Sequence, residues 1–247
     1  MKPGRGGKEM LNTLKVSAWS AAHALGYDIH KSQDLRTVAL ASSLGIDLLI
    51  DVGANTGQYA LSRRASGYRG EIISFEPLSA AHAKLLVIAK DDPNWTIADR
   101  MAVGDRSGQI ELNVAGNSAS SSVLPMLSAH VTAAPHSRYI GKEIVPLRRL
   151  DDVLESKVAG RKIFLKLDVQ GFESSVLNGA EHVVARTVAL QLEMSLLPLY
   201  QGEILMPEMY QFLRGKGFEL WDLLPGFRDP ATGRLLQVDA VFTKQDS

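Results

Sequence analysis

The sequence predicts an α/β protein with a doubly wound, mostly parallel sheet and a closing antiparallel hairpin. Short apolar runs of strand length alternate with segments in which apolar residues recur at helical spacing. Two glycines separate the first apolar run from the helical segment that follows it. The last two apolar runs have little helical pattern between them. Strands that alternate with helices indicate a parallel sheet covered on both faces.

The predicted elements follow one another in a regular order. Strands are expected at 46–51, 71–75, 95–99, 163–168 and 188–193, a closing pair at 218–222 and 238–243, and helices at 57–65, 78–90 and 205–215. Two further helices are predicted ahead of the first strand, over 11–25 and from Asp34 to residue 44, with Asp34 as a cap. This order predicts a Rossmann-like domain at 46–247, preceded by a helical appendage at 1–45 with a disordered start.

One segment, residues 116–141, interrupts this order and is named the insert. It is rich in Ser, Ala and His and shows no clear period. A long irregular segment inside a compact domain is usually functional or disordered. We therefore predict that the insert is a lid that binds a substrate.

The composition is that of an ordinary globular protein, and it excludes several kinds of site. The 247 residues include no cysteine, which excludes disulfides, thiolate metal sites and a cysteine nucleophile. Lysine plus arginine total 27, as do aspartate plus glutamate, so no net charge attracts a nucleic acid. The Gly-rich, basic start does not resemble a secretory signal, and no apolar run has the length of a membrane span. We expect a cytoplasmic enzyme that does not bind nucleic acid.

The strongest local signal is the segment DLLIDVGANTGQYA at 47–60. An apolar strand ends at Asp51, Gly53 and Gly57 follow, and a helix begins. Glycines let the backbone turn tightly and approach a ligand, and the start of a helix offers free N–H groups. The spacing, with Asn55 between the glycines, is not the G-x-G-x-x-G of a dinucleotide site, which disfavours a nicotinamide dehydrogenase. An ordinary strand-to-helix turn explains the glycines equally well.

Two acidic residues farther along extend the predicted ligand site. Glu76 ends the second strand about 20 residues after the glycines, where nucleotide-binding folds place an acceptor for ribose hydroxyls. Asp105 follows the third strand in the segment RMAVGDRSG, and its carboxylate is a candidate acceptor for an adenine amine. Each has a structural alternative, Glu76 as a turn residue before Pro77 and Asp105 as part of a Gly-Asp turn.

Six segments of the chain form a recognisable series: IDVGANTGQYA, SFEP, AVGDRSG, SASSSVL, VPLRRLDDVL and IFLKLDVQGFESSVLNGA. Together they resemble the FkbM family of methyltransferases over about residues 46–245. The resemblance implies the class I methyltransferase fold, S-adenosylmethionine as donor and a hydroxyl, often on a sugar, as acceptor. The predicted donor site consists of Asp51, Gly53, Asn55, Gly57, Glu76 and Asp105. Gln170 stands where many members have Glu, so no carboxylate role is assigned there.

Methyl transfer to a hydroxyl requires a general base or a metal ion, because a protonated hydroxyl is a poor nucleophile. Asp168 and Glu193 end the fourth and fifth principal strands, so both should reach the ligand crevice. One hypothesis is that they hold Mg²⁺ through oxygen ligands. Another is that Asp168, or His136 from the insert, takes the proton directly. In a third, both acids are structural, as we interpret the neighbouring Lys166 to be.

The favoured function is O-methylation of a sugar hydroxyl, on a glycolipid or an oligosaccharide. The alternatives are O- or N-methylation of a small secondary metabolite, and a non-catalytic binding module that keeps the methyltransferase fold. The acceptor, the oligomeric state and any peripheral contact with a membrane stay open from the sequence alone.

Overall fold

The structure is a computed structural model that describes residues 32–244 together with Ser17, Ser20, Ala21, Ala24 and Leu25. The first four of those early residues have helical backbone, and Leu25 lies in a turn. The other positions of the helix predicted over 11–25 lie outside the described residues. The second predicted helix is present at Gln33–Ser43. Its N-cap is Ser32, and Asp34 lies in its first turn instead of capping it.

A seven-stranded sheet forms the centre of the described part of the chain. The strands are β1 (Leu48–Val52), β2 (Glu71–Phe75), β3 (Trp95–Ile97), β4 (Ala102–Val103), β5 (Gly108–Ala115), β6 (Tyr139–Arg148), β7 (Ile163–Leu167), β8 (Thr187–Ser195), β9 (Phe218–Pro225) and β10 (Gln237–Lys244). The main sheet has the order β3-β2-β1-β7-β8-β10-β9. Its first five strands are parallel, and β10 runs antiparallel to both β8 and β9. The predicted doubly wound sheet with a closing antiparallel pair is therefore confirmed.

Helices cover both faces of this sheet. They are α1 (Gln33–Ser43), α2 (Gln58–Ala65), α3 (Ser79–Ala89), α4 (Ser128–Ala133), α5 (Leu150–Leu154), α6 (Glu173–Asn178), α7 (Glu181–Arg186) and α8 (Met206–Gly215). The apolar residues of α1, α2 and α3 pack against one face, and those of α5 to α8 against the other. Along the described ranges, no helix is both long and apolar enough to cross a bilayer.

The central strands β1, β7 and β8 are mostly apolar because both faces of the sheet are buried there. In β1, Leu48 and Ile50 belong to the core under α5 to α8, whereas Leu49 between them belongs to the core under α1 to α3. The same alternation occurs in β7, where Leu165 and Phe164 face opposite cores. Strand side chains alternate between faces, so a polar residue in such a run must be buried on one of them.

Three polar residues occupy one level of the sheet, and we call them the polar row. Asp51 of β1 is in register with Lys166 of β7, and Lys166 with Gln191 of β8. All three are buried on the face that α2 covers. The Tyr59 hydroxyl of α2 donates to Gln191 Oε1 at 2.8 Å, which ties that helix to the row.

The insert joins β5 to β6 and contains regular structure that its sequence does not reveal. α4 and a short 3₁₀ helix at Pro135–Ser137 lie within it. α4 packs with Leu199, Tyr200 and Leu236, so tertiary contacts hold it in place. A helix of six residues covers less than two turns, which is too short for a periodic pattern to be recognised. The small sheet β4-β6-β5 beside it was likewise not predicted.

Candidate active site

A cavity of about 440 Å³ lies at the C-terminal ends of β1, β2 and β7. This is the edge at which doubly wound sheets bind ligands. Its walls come from α1, the β1–α2 loop, α2, the turn after β2, the β4 region, the insert, β7 with the turn after it, β8 and β10. The lining residues include Asp34, Gly53, Ala54, Asn55, Tyr59, Arg63, Glu76, Met101, Ala102, Val103, Ser118, Ala119, Ser121, Val123, Lys166, Asp168, Phe172, Gln191 and Asp239. The volume suits a small-molecule ligand, for which pockets hold roughly 300–1,000 Å³.

The two glycines of the β1–α2 loop are required by the packing of the protein itself. Gly53 has φ +81°, and a Cβ there would lie 1.9 Å from the carbonyl oxygen of Asp168. Gly57 has φ +87°, and its Cβ would lie 2.8 Å from atoms of both Leu85 and Trp95. The close approach that we predicted toward a ligand is thus, at Gly53, an approach of β1 to the end of β7. The loop still lines the cavity through Gly53 and Asn55.

Glu76 fixes the glycine loop from the neighbouring strand. The Asn55 N–H donates to Glu76 Oε2 at 2.7 Å, and the Leu78 N–H donates to Oε1 at 2.8 Å. The residue is 3% exposed, and burial raises the pKa of its carboxyl from 4.5 to about 7. Each carboxylate oxygen has a second lone pair available, so both can also accept from the hydroxyls of a ligand.

The start of the insert covers the glycine loop. Asn55 Nδ2 donates to Ser118 Oγ at 3.2 Å, and Ser118, Ala119, Ser121 and Val123 contribute to the cavity wall. Asn55, Ser118 and Gln170 are the non-glycine residues with left-handed backbone in the described ranges, with φ of 47°, 55° and 56°. All three belong to the cavity or to the turn beside it. Such strained backbone clusters at functional sites, which supports this cavity as the active site.

Lys166 lies between the glycine loop and the end of β7. Its Nζ is 3.3 Å from Asp51 Oδ1 and 3.3 Å from Asp168 Oδ2, and it donates to the Gly53 carbonyl at 3.3 Å. Burial opposes the charge, but the carboxylates of Asp168 and Asp51 outweigh it and raise the pKa of Lys166 above its ordinary value. The side chain is therefore an ammonium that lines the cavity.

Asp51 was predicted to belong to the donor site, and the structure places it behind the loop. It is fully buried, outside the cavity wall, and faces Lys166. Burial raises the pKa of its carboxyl, while the Lys166 ammonium opposes that shift. Its position favours a role in holding Lys166 over direct contact with a ligand.

Asp168 and Glu193 come together as predicted, but through an amide and not through a cation. Gln170 Nε2 donates to Asp168 Oδ1 at 2.7 Å and to Glu193 Oε2 at 2.8 Å. A second amide, Gln237 Nε2, donates to the same Glu193 oxygen at 2.9 Å. Burial, followed by the nearby carboxylates of Asp168 and Asp239, raises the pKa of Glu193 well above its ordinary value.

These residues do not fit the Mg²⁺ site that we predicted. A cation needs lone pairs around it, and an N–H donor of Gln170 occupies the space between the two carboxylates. Within residues 32–244 and the five earlier described positions, no cluster of three or more His, Cys, Asp or Glu side chains is placed to hold a metal.

Besides Asp51, the predicted residues Gly57, Asp105, His136 and Glu193 also lie outside the cavity wall. Asp105 is exposed and pairs with Arg106 at 3.0 Å. The wall near the third strand is formed instead by Met101 to Val103. His136 is exposed in the 3₁₀ helix, so the structure does not bring it to Asp168.

Several cavity residues have only a weak signal in the sequence. Lys166 and Gln191 stand among apolar residues in the runs IFLKLD and ALQLE. Only the burial of both faces of the sheet shows that these polar side chains lie inside the protein. Arg63 of α2 stacks on the Tyr59 ring at 4.1 Å and pairs with Asp34 of α1, a contact between helices that spacing alone does not predict.

The sheet order, the glycine loop after β1 and the carboxylate at the end of β2 define a class I methyltransferase architecture. The model of the methyltransferase FkbM domain matches residues 51–220, and the chain belongs to this family. It is an S-adenosylmethionine-dependent methyltransferase.

Relatives and solved structures are similar to this chain at a distance. The 2-O-methyltransferase NoeI of Sinorhizobium fredii is 25% identical over 168 residues, which are 64% of this chain and 67% of the relative. Magnesium protoporphyrin IX methyltransferase from Synechocystis PCC 6803 aligns with a TM-score of 0.47 and 9% identity over 94% of this chain and 82% of that one. A Burkholderia thailandensis 1,6-didemethyltoxoflavin-N1-methyltransferase aligns with a TM-score of 0.43 and 13% identity over 100% and 92%. At this distance the structural alignments carry no inference about the acceptor.

Proposed function

We propose that this chain transfers the methyl group of S-adenosylmethionine to a hydroxyl of a sugar, with Asp168 as general base. One observation carries the proposal. The Asp168 carboxylate lines the same cavity as Glu76 and the glycine loop, and Lys166 and Gln170 hold it in place. The acceptor that we propose is a glycolipid or an oligosaccharide, methylated in the cytoplasm.

The proposed donor half of the cavity consists of the glycine loop, Glu76 and the wall from Met101 to Val103. Glu76 would accept from the ribose hydroxyls, since its oxygens keep lone pairs beside the Asn55 and Leu78 amides. The apolar wall would contact the adenine in place of Asp105. When bound, S-adenosylmethionine supplies an activated methyl group on a sulfonium.

The proposed acceptor half consists of Asp168 and the polar residues around it. The acceptor oxygen forms a bond to the methyl carbon as the carbon–sulfur bond breaks, and the electron pair of that bond stays on sulfur. Asp168 takes the hydroxyl proton, so charge and atoms balance. Lys166 Nζ, 3.3 Å from Asp168 Oδ2, pairs with the carboxylate and holds it beside the cavity.

A polyhydroxylated acceptor suits the rest of the wall. The wall includes two polar pairs: Gln191 donates to Asp239 at 3.4 Å, and Arg63 pairs with Asp34. Together these side chains offer both hydrogen-bond donors and hydrogen-bond acceptors to a ligand. Rejection of analogues that lack a hydroxyl is expected from such a wall, because its buried polar groups would lose their partners. The name of the relative NoeI, a 2-O-methyltransferase, supports oxygen as the methylated atom.

The test is incubation of the protein with methyl-labelled donor and matched pairs of methyl and octyl glycosides of glucose, mannose and rhamnose, with catechol and a simple amine as non-sugar acceptors. We expect label on a glycoside oxygen, located by mass spectrometry. Preference for octyl over methyl glycosides would indicate a glycolipid. Label on catechol or on the amine, with none on any glycoside, would replace the sugar proposal with methylation of a small metabolite.

A further inference from the structure

Gln170, an uncharged residue in the turn after β7, lies at the centre of the hydrogen bonds around Asp168. Its Nε2 contacts the carboxylates of Asp168 and Glu193, as described above. Its Oε1 accepts from the Tyr200 hydroxyl at 2.6 Å. Because the carbonyl end of the amide is occupied by an O–H donor, the amino end must face the two acids.

The backbone of Gln170 is held as tightly as its side chain. Its φ is 56°, in the left-handed region that non-glycine residues seldom adopt. The carbonyl oxygen of Gln170 accepts from Ser122 Oγ of the insert at 2.7 Å. Tyr200 also lies near the insert, since its hydroxyl is 3.4 Å from the Ser120 carbonyl oxygen. The residue is 8% exposed, so these bonds are made away from solvent.

We propose that Gln170 is a positioning residue: its amide fixes the Asp168 carboxylate in the orientation that takes the acceptor proton, and Tyr200 fixes the amide. This inference rests on the proposed function of Asp168. Gln170 accepts no proton itself. It supplies through N–H groups the fixed bridge between Asp168 and Glu193 that a cation would otherwise have to provide.

In this chain the uncharged amide suits the two acids on either side of it. A carboxylate at position 170 would place a third negative charge between Asp168 and Glu193 and could donate no hydrogen bond to either. An amide satisfies one oxygen of each acid and leaves the Asp168–Lys166 pair in place. Asp168 is thereby held at both oxygens while its carboxylate still lines the cavity.

The kinetic test uses Gln170→Met, which keeps the length of the side chain and removes the amide, and Tyr200→Phe, which removes only the hydroxyl. With the glycoside that the wild-type protein methylates, Gln170→Met should lower kcat by roughly 10- to 100-fold. Tyr200→Phe should lower it by about 2- to 12-fold, the effect of one neutral hydrogen bond. Affinity for S-adenosylhomocysteine should stay at the wild-type value in both variants.

A double-mutant cycle separates positioning from general damage. Adding Gln170→Met to Asp168→Asn should lower kcat no further, because the group that it positions is gone. An additive loss would overturn the proposal. Thr187→Val is the control: Thr187 is fully buried at the start of β8, outside the cavity wall, and its hydroxyl donates to the Val183 carbonyl at 2.9 Å. It should lower the melting temperature and leave kcat unchanged.

A measurement without acceptor keeps the inference independent of the sugar proposal. In protein labelled with carbon-13 at aspartate carboxyls, the Asp168 signal is identified by its loss in Asp168→Asn. It should move in Gln170→Met, move less in Tyr200→Phe and stay fixed in Thr187→Val. An Asp168 signal unchanged in Gln170→Met would overturn the positioning role. If no glycoside is methylated, the proposed function fails, and this spectrum still decides the role of Gln170.

Discussion

The donor half of the cavity and its acceptor half differ in what holds their residues in place. The donor half is built from backbone: Gly53 and Gly57 take left-handed conformations, and Glu76 binds the amides of Asn55 and Leu78. Glu76 joins the β1–α2 loop to the turn after β2, and Gly53 packs against the end of β7. Backbone conformation and close backbone packing therefore determine this half.

The acceptor half is built from contacts between side chains of β7, the turn after it, β8 and the segment that follows β8. Asp168 is held by Lys166 within β7 and by Gln170 in the following turn, and Gln170 is held by Tyr200. Glu193 on β8 completes the group. The comparison teaches that a substitution in the donor half should alter the fold or donor affinity, whereas one in the acceptor half should alter turnover.

The largest effect is expected at Gly53. Its Cβ would lie 1.9 Å from a backbone oxygen, so Gly53→Ala should destabilise the protein by about 3 kcal/mol or more in urea denaturation. Gly67 is the matched control, since its φ of +104° is also left-handed but no atom lies within 4 Å of its Cβ. Gly67→Ala should cost about 1–2 kcal/mol. Equal losses in the two variants would contradict the close packing of β1 against the end of β7.

The next effect concerns donor affinity. Glu76→Ala removes a charged hydrogen-bond partner, a loss of about 1.5–3 kcal/mol. Binding of S-adenosylhomocysteine, measured by calorimetry, should weaken roughly tenfold to a hundredfold. Glu76→Gln should lie between, because its amide keeps one oxygen but turns an N–H toward one backbone donor. A Glu76→Ala variant that binds within twofold of wild type would exclude the ribose role.

Donor affinity should also depend on pH through Glu76. Burial raises the pKa of the Glu76 carboxyl from 4.5 to about 7 in the free protein, so the folded protein favours the protonated form. The free energy of unfolding should therefore decrease as the pH rises from 4.5 to about 7. Donor binding has the opposite sign, because the ionised carboxylate is the better acceptor for ribose hydroxyls. Affinity should fall about tenfold from pH 8 to pH 6. Glu76→Gln should lose this dependence, and an equal slope in that variant would assign it to another group.

The smallest effect is expected from chelation. The Gln170 amide bridges Asp168 and Glu193, so EDTA treatment followed by metal analysis should leave turnover unchanged. Added Mg²⁺ or Mn²⁺ should likewise have no effect. Loss of turnover on chelation with recovery on Mg²⁺ would restore the two-carboxylate metal hypothesis and would require the Gln170 side chain to move.

The sequence predicts the fold well because the fold depends on apolar periodicity. The strands and helices around Gly53, Glu76 and Asp168 lie within a few residues of their expected positions, and the closing antiparallel pair is present. Short elements escape prediction, as α4 shows, because fewer than two turns give little period and packing against Tyr200 supplies the stability.

The candidate site is less predictable, since strand ends locate a carboxylate but do not determine its partner. Asp168 and Glu193 could be placed at one edge from sequence, yet their link runs through Gln170, a neutral residue with no motif chemistry of its own. Asp105 follows the expected strand but turns outward to Arg106, which spacing cannot reveal. His136 is directed to the surface by the packing of the insert.

The Asp168→Asn variant tests most directly whether the acceptor half acts separately from the donor half. The substitution keeps the size of the side chain and an oxygen for Gln170, but removes the base and the partner of Lys166. Turnover of the identified glycoside should fall by roughly 10²- to 10⁴-fold. Affinity for S-adenosylhomocysteine should stay within about twofold, since a group that acts only in the chemical step leaves binding intact. Turnover retained within tenfold, or donor affinity lost together with turnover, would contradict Asp168 as the base of a separable acceptor half.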